Sequence, residues 1–522
     1  MAVHWSGLSP ELLLALDRGR GAEPLRSQLE NRLREAIRSG RLRPGERLPS
    51  SRELARALGT SRGLVQECYG QLQAEGYLSS RVGSATAVAA RASAPPARLA
   101  GAVGSPGAEG VRSVGGSRVA GVAGVAEVAE VAGVTGVTGG LRGSEGLGGS
   151  GGLGFAPARA RLMADFRSGV PDLASFPRGD WMWAQREACR TAPNEALDYG
   201  DPRGSPVLRE VLAAYLRRVR AAAADPEHLV ICTGFAQGLG LALRVLRRAG
   251  TRRVAIEDPG YDDAAQVAAW ADVEVIRVPV DSGGIDVGRL AATGAQAVVL
   301  SPAHQWPTGV VLAAARRHAL AAWAASTDAI IIEDDYDAEF RYDREPVGAL
   351  QGLAPDRVIA LGTVSKSLAP ALRLGWLVCP PALTAAIAEE KEYGDRGSPV
   401  LDQLALAKLI ESGRFDRHLR RMRGVYAARR QALVAALAQH APAVRLTGLA
   451  AGFHAVAHLP GPAAEKSVVA GAMVRSVGLY GMGTYRSSGA DRPGQLVVGF
   501  GNLGVRTIEA GMAAVGDLLQ GG

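Results

Sequence analysis

Lysine is almost missing from this basic chain. Only Lys366, Lys391, Lys408 and Lys466 occur, although the formal net charge is +8. Arginine therefore carries the positive charge, a balance compatible with nucleic acid as a partner. Any chemistry that needs a lysine amine has four candidates. Cysteine is equally scarce: Cys68, Cys189, Cys232 and Cys379 stand far apart, which excludes metal-ligand spacing and the disulfide framework of a small secreted domain. No apolar run reaches about 18 residues, so no membrane span is expected. The N-terminus lacks the basic flank and apolar run of a signal peptide. A soluble, cytoplasmic protein is the expectation, and 522 residues are too many for one ordinary core, so two or more domains are expected.

Aromatic residues vanish between Gly101 and Gly154, where 19 of 54 residues are glycine. The run GVAGVAEVAEVAGVTGVTGG has a near three-residue rhythm, but proline is too scarce for collagen. Without aromatic side chains no core forms there. Residues 89–160 read as a flexible Gly/Ala/Val-rich linker. A coil of about 65 residues has an r.m.s. reach of roughly 45 Å, so the flanking domains, residues 8–88 and 161–520, can sit apart or swap between subunits.

The two domains differ in pattern. The first reads as helices followed by a hairpin, an α+β arrangement. In the second, apolar strands alternate with helices: HLVICTG at His228, RVAIEDPG at Arg253, AVVLSP at Ala297, AIIIEDD at Ala329 and RVIALGT at Arg357, with PVLREVLAAYLRRVR from Pro206 among the helices. Strands alternating with helices imply an α/β fold with a mostly parallel sheet.

In the first domain, PLRSQLENRLREAIRSG is an amphipathic helix ended by Gly40. Ser50 or Ser51 can cap a short helix that stops at Gly59. A second short helix starts behind Ser61 and carries Leu64, Val65, Cys68, Tyr69 and Leu72 on one face. Two short helices this close suit a helix-turn-helix, and YLSSRVGSATAV around Gly83 suits a two-stranded wing. LPSSRELA, LGTSRGLVQECYGQLQAEGYL and the Gly83 turn resemble the GntR family of winged helix-turn-helix regulators. The resemblance places Arg52, Ser61, Arg62 and Gly83 against double-stranded operator DNA. The chemistry agrees, since arginine forks onto guanine or phosphate and a helix N-terminus favours phosphate. A solvated arginine face is the alternative for any one of these residues taken alone.

The second domain offers each part of a pyridoxal-phosphate site: a lysine amine, an acid for the pyridine nitrogen, a phosphate cradle and an aromatic neighbour. Lys366, in GTVSKSLAPALRLGW, follows an apolar strand, where open α/β sheets bind ligands. Arg373 lies seven residues on and can reach a phosphate. The other three lysines sit in helical, polar surroundings. Asp334 leaves the buried run AIIIEDD, which is costly without a cationic partner. Tyr336, two residues on, shares its side if the strand continues. The acidic run Glu333, Asp334, Asp335 leaves a metal as the alternative, but no histidine is near in sequence and Mg²⁺ rarely takes this context, so no metal is expected. In CTGFAQGLGLAL a strand turns into a helix, so the N–H groups of Phe235, Ala236 and Gln237 can face an anion. Tyr261 is a candidate stacking aromatic.

SPAHQWPTG, IIEDDYDAEF and GTVSKSLAPALRLGW, in that order, resemble the fold-type I aminotransferases. With LDYGDPRGSPVLREVLAAYL and LVVGFGNL they resemble more closely the MocR/GabR subfamily of regulators, over nearly everything from Arg161 onward. The resemblance implies a fold-type I domain with a smaller α+β subdomain and pyridoxal 5'-phosphate as internal aldimine on Lys366. It further implies Asp334 on the pyridine nitrogen, Tyr336 on the phenolic oxygen, Arg373 and Thr363 on the phosphate, and Tyr199 reaching that phosphate from the other protomer of a homodimer. His304 and Gln305 fall where aminotransferases place a cofactor-contacting amide, although Trp306-Pro307 replaces their asparagine-proline. GABA-type members have an arginine where Asp263 stands here. A carboxylate there repels a carboxylate ligand, which favours a cationic or hydroxyl-bearing effector or the cofactor itself. Arg486 is the candidate for any remaining carboxylate contact. Two functions are open at this stage: a transcription regulator sensing a small amine, an amino acid or the cofactor, and a working aminotransferase with an accessory DNA-binding domain. The complete N-terminal pattern favours the regulator.

Overall fold

A computed structural model describes residues 25–38, 42, 45–74, 77–79, 86–89, 162–337, 339–342, 348–460, 465–487 and 494–520. Gly83 and the linker after Ala89 lie outside the described residues.

The first domain builds on three helices, Leu25–Arg38, Ser51–Ala57 and Arg62–Ala74. Leu29, Leu33 and Ile37, spaced by four, form one apolar stripe and are fully buried with Leu54, Val65, Cys68 and Leu72. The second helix starts where a capping box closes it: Ser50 Oγ accepts from Glu53 N at 3.3 Å, and the Glu53 carboxylate accepts from Ser50 N at 2.9 Å, which satisfies two backbone donors that a helix start leaves open. Ser61 Oγ likewise accepts from Leu64 N at 3.2 Å and caps the third helix. Strands β1 (Leu78–Ser79) and β2 (Ala87–Val88) pair antiparallel, with Leu78 opposite Val88.

In the second domain, β3 (Ala164–Asp165) pairs with a late strand, and then the main sheet begins. Its strands are β4 (Leu229–Cys232), β5 (Arg253–Asp258), β6 (Glu274–Asp281), β7 (Gly284–Ile285), β8 (Ala297–Leu300), β9 (Ile330–Asp335), β10 (Val358–Thr363) and β11 (Gly375–Val378), arranged β4-β11-β10-β9-β8-β5-β6-β7. From β10 through β9, β8 and β5 to β6 all pairs are parallel, whereas β11 runs antiparallel to both β10 and β4. Alternate residues serve opposite faces. Val299, Ile332 and Ile359 pack with the helices Phe235–Arg248 and Asp262–Trp270, while Val298, Ile331 and Val358 pack with the helix Ala314–Thr327. Both faces are covered, as a parallel sheet requires. Each such fully buried side chain contributes about 2 kcal/mol.

The remainder forms a smaller sheet of β12 (Arg445–Thr447), β13 (His454–His458) and β15 (Gln495–Gly499), all antiparallel, while β14 (Val477–Gly478) pairs with β3. The helices Arg414–His440 and Val505–Leu519 pack beside it. Among the described residues no helix is long and apolar enough to cross a membrane.

Candidate functional site

The C-terminal ends of β9 and β10 bring Asp334 and Lys366 to the same edge of the sheet. Asp334 lies opposite Leu361 in the β9–β10 ladder, and Lys366 follows three residues after β10 ends at Thr363. Lys366 Nζ donates to the Gly169 carbonyl at 2.6 Å. Desolvation lowers the pKa of this amine, and the charges of Asp334 and Asp337 act in the opposite direction.

The acidic run divides its work by face. Buried Glu333 accepts from Leu350 N at 2.9 Å and Gln351 N at 3.0 Å. Asp335 takes a bidentate pair from Arg220, Nε at 2.6 Å and Nη2 at 2.9 Å. Asp334 stands between them and, among the described residues, its carboxylate has no hydrogen-bond partner. Desolvation pushes its pKa well above the usual carboxylate range, Asp335 and Asp337 add to this, and Lys366 opposes it. A carboxyl in this position fits a cationic ring nitrogen, so the residues present suit a pyridoxal-phosphate ring.

The phosphate end also fits. Gly234 has φ +102° and directly precedes the helix Phe235–Arg248, and a Cβ on it would stand 3.0 Å from Arg373 Nη2. Glycine therefore leaves open a cradle between the exposed guanidinium and the first N–H groups of the helix, those of Phe235, Ala236 and Gln237, which have no intrahelical acceptor. The Gln237 side chain accepts from Thr233 N at 2.8 Å and donates to Asp395 at 2.6 Å. Asp395 in turn accepts from Lys391 at 2.6 Å. Lys391 sits in a helix beside a polar partner, as expected from sequence, but it is fully buried, and Asp395 one helical turn on accompanies the charge inward. The Thr363 hydroxyl is held by its own turn, donating to the Leu374 carbonyl at 3.0 Å and accepting from Ser365 N at 3.1 Å.

On the open side, Tyr261 is exposed and donates to Asp263 Oδ2 at 2.6 Å, with its ring 6.0 Å from that of Phe235. Tyr199 is 81% exposed and so is free to meet a second protomer. Arg486 donates to the Gln495 side chain. The Gln305 amide is taken up by its own loop and by the segment after β5: it accepts from Thr308 N at 3.1 Å and Thr308 Oγ1 at 2.6 Å and donates to Pro259 O at 2.9 Å. The wall beside Lys366 is instead the ring of Trp306, whose Cη2 lies 3.5 Å from where a Cβ on Gly169 would be. Trp306 Nε1 is buried and has no hydrogen-bond partner among the described residues.

β9 ends at Asp335, so Tyr336 leaves the ladder; its hydroxyl donates to the His304 carbonyl at 3.0 Å and lies 3.2 Å from His304 Nδ1. His304 Nδ1 is 2.7 Å from Asp337 Oδ2, and the rings of His304 and His454 are 4.7 Å apart. These three buried side chains bring one donor atom each within 4.8 Å of the others. Ligands at about 2.0–2.2 Å from one tetrahedral ion sit more than 3 Å apart, so the 2.7 Å contact between His304 and Asp337 has the length of a hydrogen bond. Asp337, His454, Gly169 and the Arg220–Asp335 pair were not reached by sequence reasoning. Asp337 alone had a local signal, three residues beyond Asp334 in the same motif.

Comparison with known proteins agrees with this geometry. The pattern of the family described as aminotransferase class I and II matches residues 163–484, and that of the bacterial regulatory proteins of the gntR family matches residues 25–88. The chain is 32% identical over 497 residues to the HTH-type pyridoxine biosynthesis transcriptional regulator PdxR of Corynebacterium glutamicum, covering 95% of this chain and 96% of that protein. It is 31% identical over 432 residues to the probable rhizopine catabolism regulatory protein MocR of Rhizobium meliloti, covering 82% and 80%. Among solved structures it resembles LysN, the alpha-aminoadipate aminotransferase of Thermus thermophilus complexed with N-(5'-phosphopyridoxyl)-L-leucine, with TM-score 0.60 and 26% identity over 69% of this chain and 92% of that one. Pyrococcus horikoshii kynurenine aminotransferase gives TM-score 0.62 and 25% identity over 70% and 92%.

The cradle makes a specific demand on Gly234. Gly234→Ala should weaken pyridoxal-phosphate binding by about tenfold, roughly 1.4 kcal/mol, in fluorescence titrations of the cofactor-free protein. Gly250→Ala is the control for backbone strain alone, because Gly250 has φ +108° and open space around it; it should bind as the wild type does. Equal affinity of the two variants would refute the cradle.

Proposed function

Because the chain belongs to the MocR-type regulators, a gntR-family domain joined to a class I and II aminotransferase domain, we propose that it binds operator DNA through the first and senses a small ligand through the second. The observation that carries this reading is the pairing of an unpartnered, desolvated Asp334 with Lys366 on a chain that also holds a helix-turn-helix. When bound, pyridoxal 5'-phosphate supplies an electron-accepting ring and a carbonyl carbon open to amines. Lys366 Nζ, favoured in its neutral form by desolvation, holds that carbon. Asp334 keeps a proton at the ring nitrogen, Tyr336 faces the phenolic oxygen, and Arg373 with the helix start at Phe235 takes the phosphate.

The sensed ligand is a small amine or amino acid, or the cofactor itself. Asp263 at the open side, hydrogen-bonded to Tyr261, disfavours a carboxylate there. Likeness to a regulator of pyridoxine biosynthesis supports the cofactor as the signal. Exposed Tyr199 supports a homodimer in which each protomer completes the other's phosphate site. On the DNA side, Arg62 opens the third helix and is exposed, as is Arg52 on the second, which suits a recognition helix entering the major groove by its N-terminus.

Two outcomes test the two halves. The purified protein should absorb visible light, and Lys366→Ala should abolish that band; a band that survives the substitution would assign the cofactor to another amine. Arg62→Ala should cost about 1–3 kcal/mol on the protein's own promoter region and relax preference at one base pair if the contact is to a base. Gel-shift titrations at two salt concentrations separate this from a phosphate contact, which would weaken all sequences alike and flatten the salt dependence. Unchanged affinity and preference would remove this helix as the reader.

A further inference from the structure

The cofactor-facing tyrosine does not stand alone. Behind Tyr336 lies a buried pair, His304 and Asp337, that no cofactor contact requires in itself. Both are almost fully buried, and burying a carboxylate is costly unless its partners are well placed. Here they are. His304 Nδ1 lies 2.7 Å from Asp337 Oδ2, and Nε2 lies 3.3 Å from the Gly448 carbonyl. The other side of the pair is closed by backbone: Gly452 has φ +67°, and a Cβ on it would collide with Asp337 Oδ2 and His304 Cε1. Tyr342 Oη donates to the Gly452 carbonyl and keeps that segment in place. The ring of His454, 4.7 Å away, backs the imidazole.

Counting donors shows what the pair does to the phenol. The His304 carbonyl at 3.0 Å and the Asp337 carboxylate only accept, so the Tyr336 hydroxyl hydrogen lies toward one of these two residues. Asp337 requires a hydrogen on Nδ1. That N–H also faces Tyr336 Oη at 3.2 Å. Tyr336 would therefore turn its hydroxyl hydrogen from these acceptors to a ligand oxygen, with Oη kept in place beside the Nδ1–H that Asp337 holds.

We propose that His304 and Asp337 are positioning residues for Tyr336, fixing the place and direction of its hydroxyl so that the hydrogen is delivered to the phenolic oxygen of bound pyridoxal phosphate; this rests on the cofactor reading above. Their effect passes through the tyrosine and shows in how the bound cofactor titrates. The titratable groups around Tyr336 are Asp334, Asp337, Glu257, Lys366, His304 and His454, and the carboxylates among them, with burial, hold the phenol protonated.

The test is a double-mutant cycle on the full-length protein loaded with pyridoxal phosphate, reading the pH midpoint of its visible absorbance. His304→Phe keeps a ring beside His454 and removes Nδ1. It should shift the midpoint by about one pH unit in the wild-type background, and by less than a third of that in Tyr336→Phe. Equal shifts in the two backgrounds would overturn the proposal, since His304 would then act without the tyrosine. Should His304→Phe not fold, Asp337→Asn, of the same shape, takes its place, and at least half of its shift should vanish in Tyr336→Phe. If neither variant folds while Tyr336→Phe does, the pair is scaffold only and the proposal fails. Absence of any visible band from the wild type would instead defeat the cofactor reading itself.

Discussion

A carboxyl and an amine, both taken out of water, share the edge formed by two neighbouring parallel strands. Neither Asp334 nor Lys366 is comfortable there: desolvation disfavours the charge on each, and each is the other's opposing influence. The rest of the second domain keeps them in that position. Glu333 and Asp335 turn to the protein side of β9 and anchor it through the 350–351 backbone and through Arg220. With its two neighbours so engaged, Asp334 is the one acid of the run left for a ligand. The same logic holds at the phosphate end, where Lys391 and Asp395 satisfy each other and Gln237 fastens the start of a helix, leaving beside Gly234 the Arg373 guanidinium, which has no carboxylate partner among the described residues.

Much of this was legible in the sequence, for a physical reason. Strands β4, β5, β8, β9 and β10 are covered on both faces, so they read as unbroken apolar runs ending in turns. β6 was not legible: it is half exposed and carries Arg277 and Pro279 within its span. The four residues of β11 gave no clue that they run antiparallel between β4 and β10. In the first domain the capping serines and the four-residue apolar spacing were sufficient to place all three helices.

The site was legible where a residue's position comes from its own strand end, as for Lys366, Asp334 and the helix start at Phe235. It was not legible where the role depends on a distant segment. Gly169, Gly448, Gly452 and His454 come from opposite ends of the domain to meet the loop around His304, and nothing local announces that. Lys391 shows the converse. A lysine with an aspartate four residues on is an ordinary surface pair in a helix, and only the packing of the helix Pro381–Asp395 against Phe235–Arg248 puts it inside. Gln305 drew attention as an amide beside the site, yet its hydrogen bonds go to its own loop and to Pro259, and Trp306 forms the wall.

The account as a whole depends on which amine holds the cofactor, and the scarcity of lysine makes that directly measurable. Borohydride reduction of the purified protein, followed by protease digestion and mass mapping, should place a single phosphopyridoxyl increment on the peptide containing Lys366 and none on those containing Lys391, Lys408 or Lys466. An increment on any of those three, or none at all on protein incubated with pyridoxal phosphate, would contradict it.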